Sequence, residues 1–140
     1  PIVGVPSMTA YAERVSFLSG KICVILPDRR DLVYYALYEK NTQITPEMSS
    51  TLTAVREQLE QMSDLALCVG PGAERCRAAL EPIVTVAPQA LNRPSGAVIA
   101  QVGAQKFSRS GHDELWTLEP LYLPSPLSPL SLRGERGKMG

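Results

Sequence analysis

Surplus charge of either sign is the first thing this sequence lacks. Fourteen Lys and Arg balance fourteen Asp and Glu, so the formal net charge is zero. Phosphate affinity comes mainly from excess cations, so the balance argues against nucleic-acid binding driven by bulk charge, although it does not exclude a local basic patch. No run nears the roughly twenty apolar residues that span a bilayer, and no membrane association is expected. The opening Pro1-Ile2-Val3-Gly4-Val5-Pro6 has neither the basic end nor the long apolar stretch of a signal peptide. Cys23, Cys68 and Cys76 are odd in number and show no CxxC spacing, which argues against a disulfide framework or a cysteine-held metal. Cys23 and Cys68 sit inside apolar runs, where a free thiol acts as a small core hydrophobe, and a reducing, cytoplasmic setting is expected. No internal repeat is visible.

What is present has the balance of a globular domain: 140 residues, 44% hydrophobic and 20% charged, enough for one domain and short for two. Ser7 offers a helix N-cap, and Met8, Tyr11 or Ala12, Val15 and Leu18 follow at helical spacing until Gly20. Lys21 to Leu26 and Leu32 to Tyr38 are short, β-rich and continuously apolar, as central strands covered on both faces are. The five residues between them, Pro27 to Asp31, make a charged hairpin loop. A short third strand is expected near Gln43. Thr45-Pro46-Glu47 reads as a helix start, with Met48, Leu52, Val55, Leu59 and Met62 forming one apolar stripe behind it.

Leu65 to Val69 predicts another strand, and Gly70-Pro71-Gly72-Ala73 a turn into a short helix through Leu80. Pro82 to Ala87 reads as a strand, and Ser95 to Phe107 as a helix with Val98, Ile99, Val102 and Phe107 on its apolar side. This order predicts an α/β fold, a mixed and partly parallel sheet with helices on its faces. After Gly111 comes an apolar stretch, Leu115 to Leu123, with Trp116 and Tyr122. Four of the twelve prolines fall between Pro120 and Pro129, so an extended exit from the fold and a disordered tail over 125–140 are expected.

Residues able to carry chemistry are few. The single histidine, His112, lies in a polar loop beside Asp113 and Glu114 and reads as solvated. A cysteine- or histidine-dependent hydrolase would need it beside a cysteine, and two of the three thiols belong to strands. Gly70, Gly72 and Ala73 form a strand-to-helix turn of the kind that lets backbone N–H groups approach a phosphate, of ATP or ADP for instance. No Lys-Ser or Lys-Thr follows and the GxGxxG spacing is absent, so a structural turn is the favoured reading. Arg29 and Arg30, between Asp28 and Asp31, could meet an anion or a partner, or form a solvated tip with loose ion pairs. Tyr34 and Tyr35 point to opposite faces of one strand, which excludes a shared base-stacking platform.

Taken in order, these segments resemble the carboxy-terminal half of the bacterial tRNA threonylcarbamoyladenosine biosynthesis family TsaB, also called YeaZ. Pro1 to Met8 before an Ala-containing helix is similar to the family's Pro, two aliphatics, Gly-Val-Ser-Ser-Leu and helix. Leu26 to Tyr38 resembles its aliphatic strand, Asp-Ala-Arg turn and Glu-Val-Tyr strand, with Arg29 on the turn's arginine, Pro27 in place of the aspartate and Leu32 in place of the glutamate. Thr45-Pro46-Glu47 matches the family's Pro-Glu before a helix, and Val69 to Ala73 its Gly-x-Gly-Ala turn. Leu118 to Leu123 resembles its closing Pro-x-Tyr-Leu-Arg, with Pro124 in place of the arginine. The likeness spans 1–124 and implies a ribonuclease-H-like, actin-like ATPase half-domain, with Pro1 in mid-protein, as in a fragment, split gene or truncated paralogue. It further implies an accessory subunit without catalytic residues or a cofactor of its own. Its partners would be a TsaD-like catalytic subunit and a TsaE-like ATPase, with tRNA met only indirectly. An older glycoprotease-like label attaches to the same family. A half-fold also predicts bare sheet faces and edges, hence a homo-oligomer.

Overall fold

The computed structural model describes residues 1–120. Continuous apolar runs interrupted by a charged bend give a hairpin of β1 (Lys21–Pro27) and β2 (Leu32–Glu39), antiparallel with Ile22 opposite Tyr38 and Ile25 opposite Tyr35. Pro27 completes β1, so the bend is the four residues 28–31. The Asp28 N–H donates to the Leu32 carbonyl at 3.1 Å and Arg30 takes the left-handed conformation at φ 54°. β3 (Thr42–Gln43) and β4 (Met48–Thr51) both pair antiparallel with β2, and β5 (Leu65–Val69) runs parallel to β1. The sheet order is β3-β2-β1-β5 with β4 beside β2, a mixed five-stranded sheet as predicted.

Alternation along β1 explains the layers. Ile22 and Val24 point to one face with Tyr38 and Val69, under Met8, Tyr11 and Val15 of the amino-terminal region; α1 is Ser7–Arg14. Cys23 and Ile25 point to the other, with Tyr35 and Leu37, under α2 (Leu52–Glu60), α3 (Pro71–Arg75) and α4 (Arg77–Leu80). Burial of a Val or Ile side chain contributes about 1.5–3 kcal/mol, so this doubly covered strand is the principal stabilising element. Both faces of β1 are covered by the chain's own helices, so among the described residues this central strand is not left bare as a half-fold would leave it, although at Leu26 and Tyr34 the α1 side opens onto a cleft of about 900 Å³.

Four boundaries depart from the sequence reading. Pro6 rather than Ser7 occupies the N-cap of α1, and the helix ends at Arg14, with Val15 and Leu18 buried or half-buried in the turns that follow. Thr45 does not start a helix. Its Oγ1 accepts from the Leu37 amide at 3.0 Å, Met48–Thr51 forms the strand beside β2, and Thr51 caps α2 by accepting from Ala54 N–H at 3.2 Å. Ser49, Ser50 and Thr51 are poor helix formers, and the unpaired edge of β2 offers them a ladder. Pro82 to Ala87 is no full strand: Val86 alone bridges to Cys68, because the Ile83 and Val84 amides turn back to the Leu80 carbonyl.

The last helix, α5 (Gly96–Ser110), starts one residue later and ends three residues later than expected, is capped by Ser95, and buries no residue fully. Ile99 and Phe107 remain 42% and 46% exposed, because α1 already covers that sheet face and α5 packs against α1 instead. Trp116 beyond it is 91% exposed. No helix among the described residues is long and apolar enough to cross a membrane. The expected tail at 125–140 and the boundary at 124 lie outside the described residues.

Candidate functional site

The glycine turn is built by close approach. Gly70 follows β5 at φ 113°, and a Cβ there would meet the Ile25 carbonyl oxygen at 2.5 Å. At Gly72 a Cβ would lie 2.7 Å from both the Ile25 oxygen and the Leu26 carbonyl carbon. The two glycines let α3 rest its backbone on β1, and Ala73 is buried beneath them. One of the amides in this turn is already engaged: Gly70 N–H donates to Asn92 Oδ1 at 2.9 Å.

Asn92, only 3% exposed, is the residue that the sequence reading missed. Its Nδ2 donates to Glu74 Oε2 at 2.8 Å and to the Ala87 carbonyl at 3.0 Å. Arg77 donates to Glu74 through Nε and Nη2, to Ala87 O at 2.7 Å, and to Glu81 at 2.9 Å. The Arg77 guanidinium and then the Asn92 amide hold the Glu74 carboxyl below the usual range. A lone asparagine between Pro88 and Pro94 carries no motif, so only the structure reveals this clasp.

At the hairpin tip Arg29 and Arg30 are exposed, and among the described residues neither forms an ion pair, so the loose pairs weighed for this tip are not formed. Asp28 instead lies 3.5 Å from Ser49 Oγ and, after burial, is the main reason the Tyr34 phenol is raised above its usual pKa. A cleft of about 280 Å³ separates the tip from α3 and α4. It brings Arg30 and Gly72 together, joined by Arg75 and Cys76, whereas Arg29, Gly70 and Ala73 lie off its lining.

The remaining chemistry-bearing residues do not converge. Cys23 and Cys68 are register partners in the core, and their hydrogen bond together with burial pushes the Cys23 thiol up. Cys76 is half-buried and raised chiefly by burial. His112 is exposed, with Nδ1 3.1 Å from the Asp113 carbonyl. No group of three or more His, Cys, Asp or Glu able to hold a metal exists among the described residues. Asp113 is structural. Its Oδ2 accepts from Gly4 N–H at 2.7 Å and from Lys106 Nζ at 3.1 Å, tying the amino-terminal segment to α5.

No known family matches the sequence, and no curated protein matches it either. Among solved structures, the chain is similar to a protein described as "an uncharacterized protein with similarity to peptidase YEAZ from Pseudomonas aeruginosa". The TM-score is 0.67 at 18% identity, over 89% of this chain and 59% of that one. The two share a fold, and this chain spans less than two thirds of its neighbour's length.

Proposed function

We propose that the chain is a non-catalytic, protein-binding domain of the accessory kind found in the tRNA threonylcarbamoyladenosine machinery. The observation that carries this reading is the common fold over 89% of the chain with a protein itself described as similar to YeaZ. The motif order in Pro1–Leu123 supports it independently. So do the apolar side chains left in solvent: Phe17 is 79% exposed and Trp116 91%, with Ile99, Phe107 and Leu115 also exposed. Large exposed aromatics are the residue type that anchors interfaces.

The partners on this reading are a TsaD-like catalytic subunit, a TsaE-like ATPase and a second copy of the chain, with tRNA engaged only through them. The test is analytical ultracentrifugation of the purified chain, alone and mixed with the TsaD-like subunit of its own source. Assembly at about 1 µM is expected, and Trp116→Ala with Phe17→Ala should weaken it at least roughly tenfold. A chain that stays monomeric and uncomplexed at tens of micromolar would refute the reading. Calorimetry with ATP and ADP should give little heat on this reading, whereas a nucleotide-binding module would give a saturable signal.

A further inference from the structure

β1 and β5 run parallel, but the chain leaves their carboxyl ends in different directions, into the hairpin tip after Pro27 and into α3 after Gly70. Beside the carboxyl end of β1, where α/β sheets commonly hold ligands, the hairpin tip and α3 frame the cleft of about 280 Å³ lined by Pro27, Gly72 and Cys76. Its floor is apolar, from Leu32, Val33, Leu52 and Ala79. Its charged groups are Arg30, Arg75 and Asp31, which leave one net positive charge. Neither guanidinium has an ion-pair partner among the described residues.

Size and chemistry together restrict the occupant. A cavity of about 150 Å³ admits benzene, so nearly twice that volume holds a six-membered ring with a short arm, about eleven non-hydrogen atoms. The fork of an arginine matches a carboxylate, whereas an inorganic anion would leave the apolar floor uncovered. We propose that this cleft binds a small amphiphilic carboxylate, its apolar body on Leu32, Leu52 and Ala79 and its carboxylate between Arg30 and Arg75. This inference does not depend on the accessory role, and a protein-binding domain could carry such a ligand site whether or not its partners are those proposed.

The probe is 3-phenylpropionate, titrated into the ¹⁵N-labelled full chain. Saturable amide shifts are expected on both walls, over 30–33 and 75–79, with a dissociation constant of about 1 mM. Bound probe should also slow the reaction of Cys76, which lines the same cleft, with a thiol reagent. Arg30→Gln with Arg75→Gln, both at exposed positions, should weaken binding about tenfold while leaving the dispersed spectrum intact, and so should replacing the probe by neutral 3-phenylpropanamide. Three results would overturn the proposal: no shifts on the cleft walls at roughly ten times that concentration, equal binding of the amide, or equal binding of inorganic phosphate or ADP at the same residues.

Discussion

Replacing Asn92 with alanine tests the most consequential contact in the molecule. The side chain makes three hydrogen bonds, to Gly70 N–H, Glu74 and the Ala87 carbonyl. Glu74 and Ala87 keep Arg77 as a donor after the substitution, so the group left without a partner is the Gly70 amide. Losing the bonds costs about 1 kcal/mol each, and an orphaned buried donor carries a penalty of about 1–3 kcal/mol. The two overlap, giving about 3–4 kcal/mol out of a total stability of about 5–15 kcal/mol. For a chain of this length the midpoint of thermal unfolding should fall by about 10–15 °C. Urea unfolding followed by circular dichroism measures the change directly. A companion Asn92→Asp variant separates hydrogen bonding from volume. It retains an acceptor for Gly70 but sets a second carboxylate against Glu74, which raises the introduced group's folded-state pKa. The native state then binds the extra proton first, so that variant should recover stability as pH falls through the carboxylate range, unlike Asn92→Ala. A loss below about 1 kcal/mol for Asn92→Ala would refute the reasoning, because the turn would then not depend on this clasp.

Gly72→Ala should destabilise by about 2 kcal/mol or more, since its Cβ would collide with backbone of β1, whereas Gly103→Ala, 3.5 Å from Val5 Cγ2 inside α5, should stabilise by about 0.5–1 kcal/mol in the same urea series. Equal effects at the two sites would show that α3 does not rest on β1. Asp64 beside Lys21, Glu74 beside Arg77, and Asp113 under the Gly4 amide and Lys106 all have carboxyls held below their usual range. The unfolded chain therefore takes up protons before the folded one does. Stability should be flat from about pH 7 to 5 and fall below about pH 4, and a urea midpoint constant down to about pH 3 would contradict this. Of the three free thiols only Cys76 reaches solvent, so Ellman's reagent should titrate one thiol rapidly in the native chain and the buried pair only after denaturant; a second fast thiol would place Cys23 or Cys68 outside the core.

How much was legible follows from which interactions are local. The β1–β2 hairpin could be read because apolar runs on either side of four polar residues permit little else. The separation of Tyr34 from Tyr35 needed only the two-residue period of a strand, and the two pack with opposite core clusters. The stripe from Met48 to Met62 was right about its destination, the cluster around Val55 and Leu59, but wrong about the conformation of its first turn. There Met48–Thr51 is pulled into the sheet by the edge of β2, a tertiary demand invisible at short range. The same limit explains Pro82 to Ala87, whose residues have the propensity of a strand but whose first amides are taken by Leu80. At the site, the glycines pointed to a close approach without saying to what. The structure supplies the neighbour: backbone of β1 at Ile25 and Leu26 lies within 2.8 Å of where a Cβ at Gly72 would sit, a partner some forty-six residues away in the chain that local sequence cannot name.

Closure of the core on both faces of β1 changes where the proposed association would take place. A half-fold that needed its other lobe would leave one face of β1 in solvent, yet Ile22 and Cys23, on opposite faces, are both fully buried. The chain can therefore be a folded unit although it spans only 59% of its neighbour. Surface for a partner is then left at the outer edge of β3 and β4, on the free side of α5 with Ile99 and Phe107, and at the exposed Phe17 and Trp116. Ile99→Glu with Phe107→Glu makes the point testable. A helix side that serves only the fold would unfold with two buried charges, whereas an exposed docking side should lose assembly while the urea midpoint stays nearly unchanged. The partial exposure of both side chains favours the second outcome, and a large drop in midpoint would return α5 to the core and remove it from the interface.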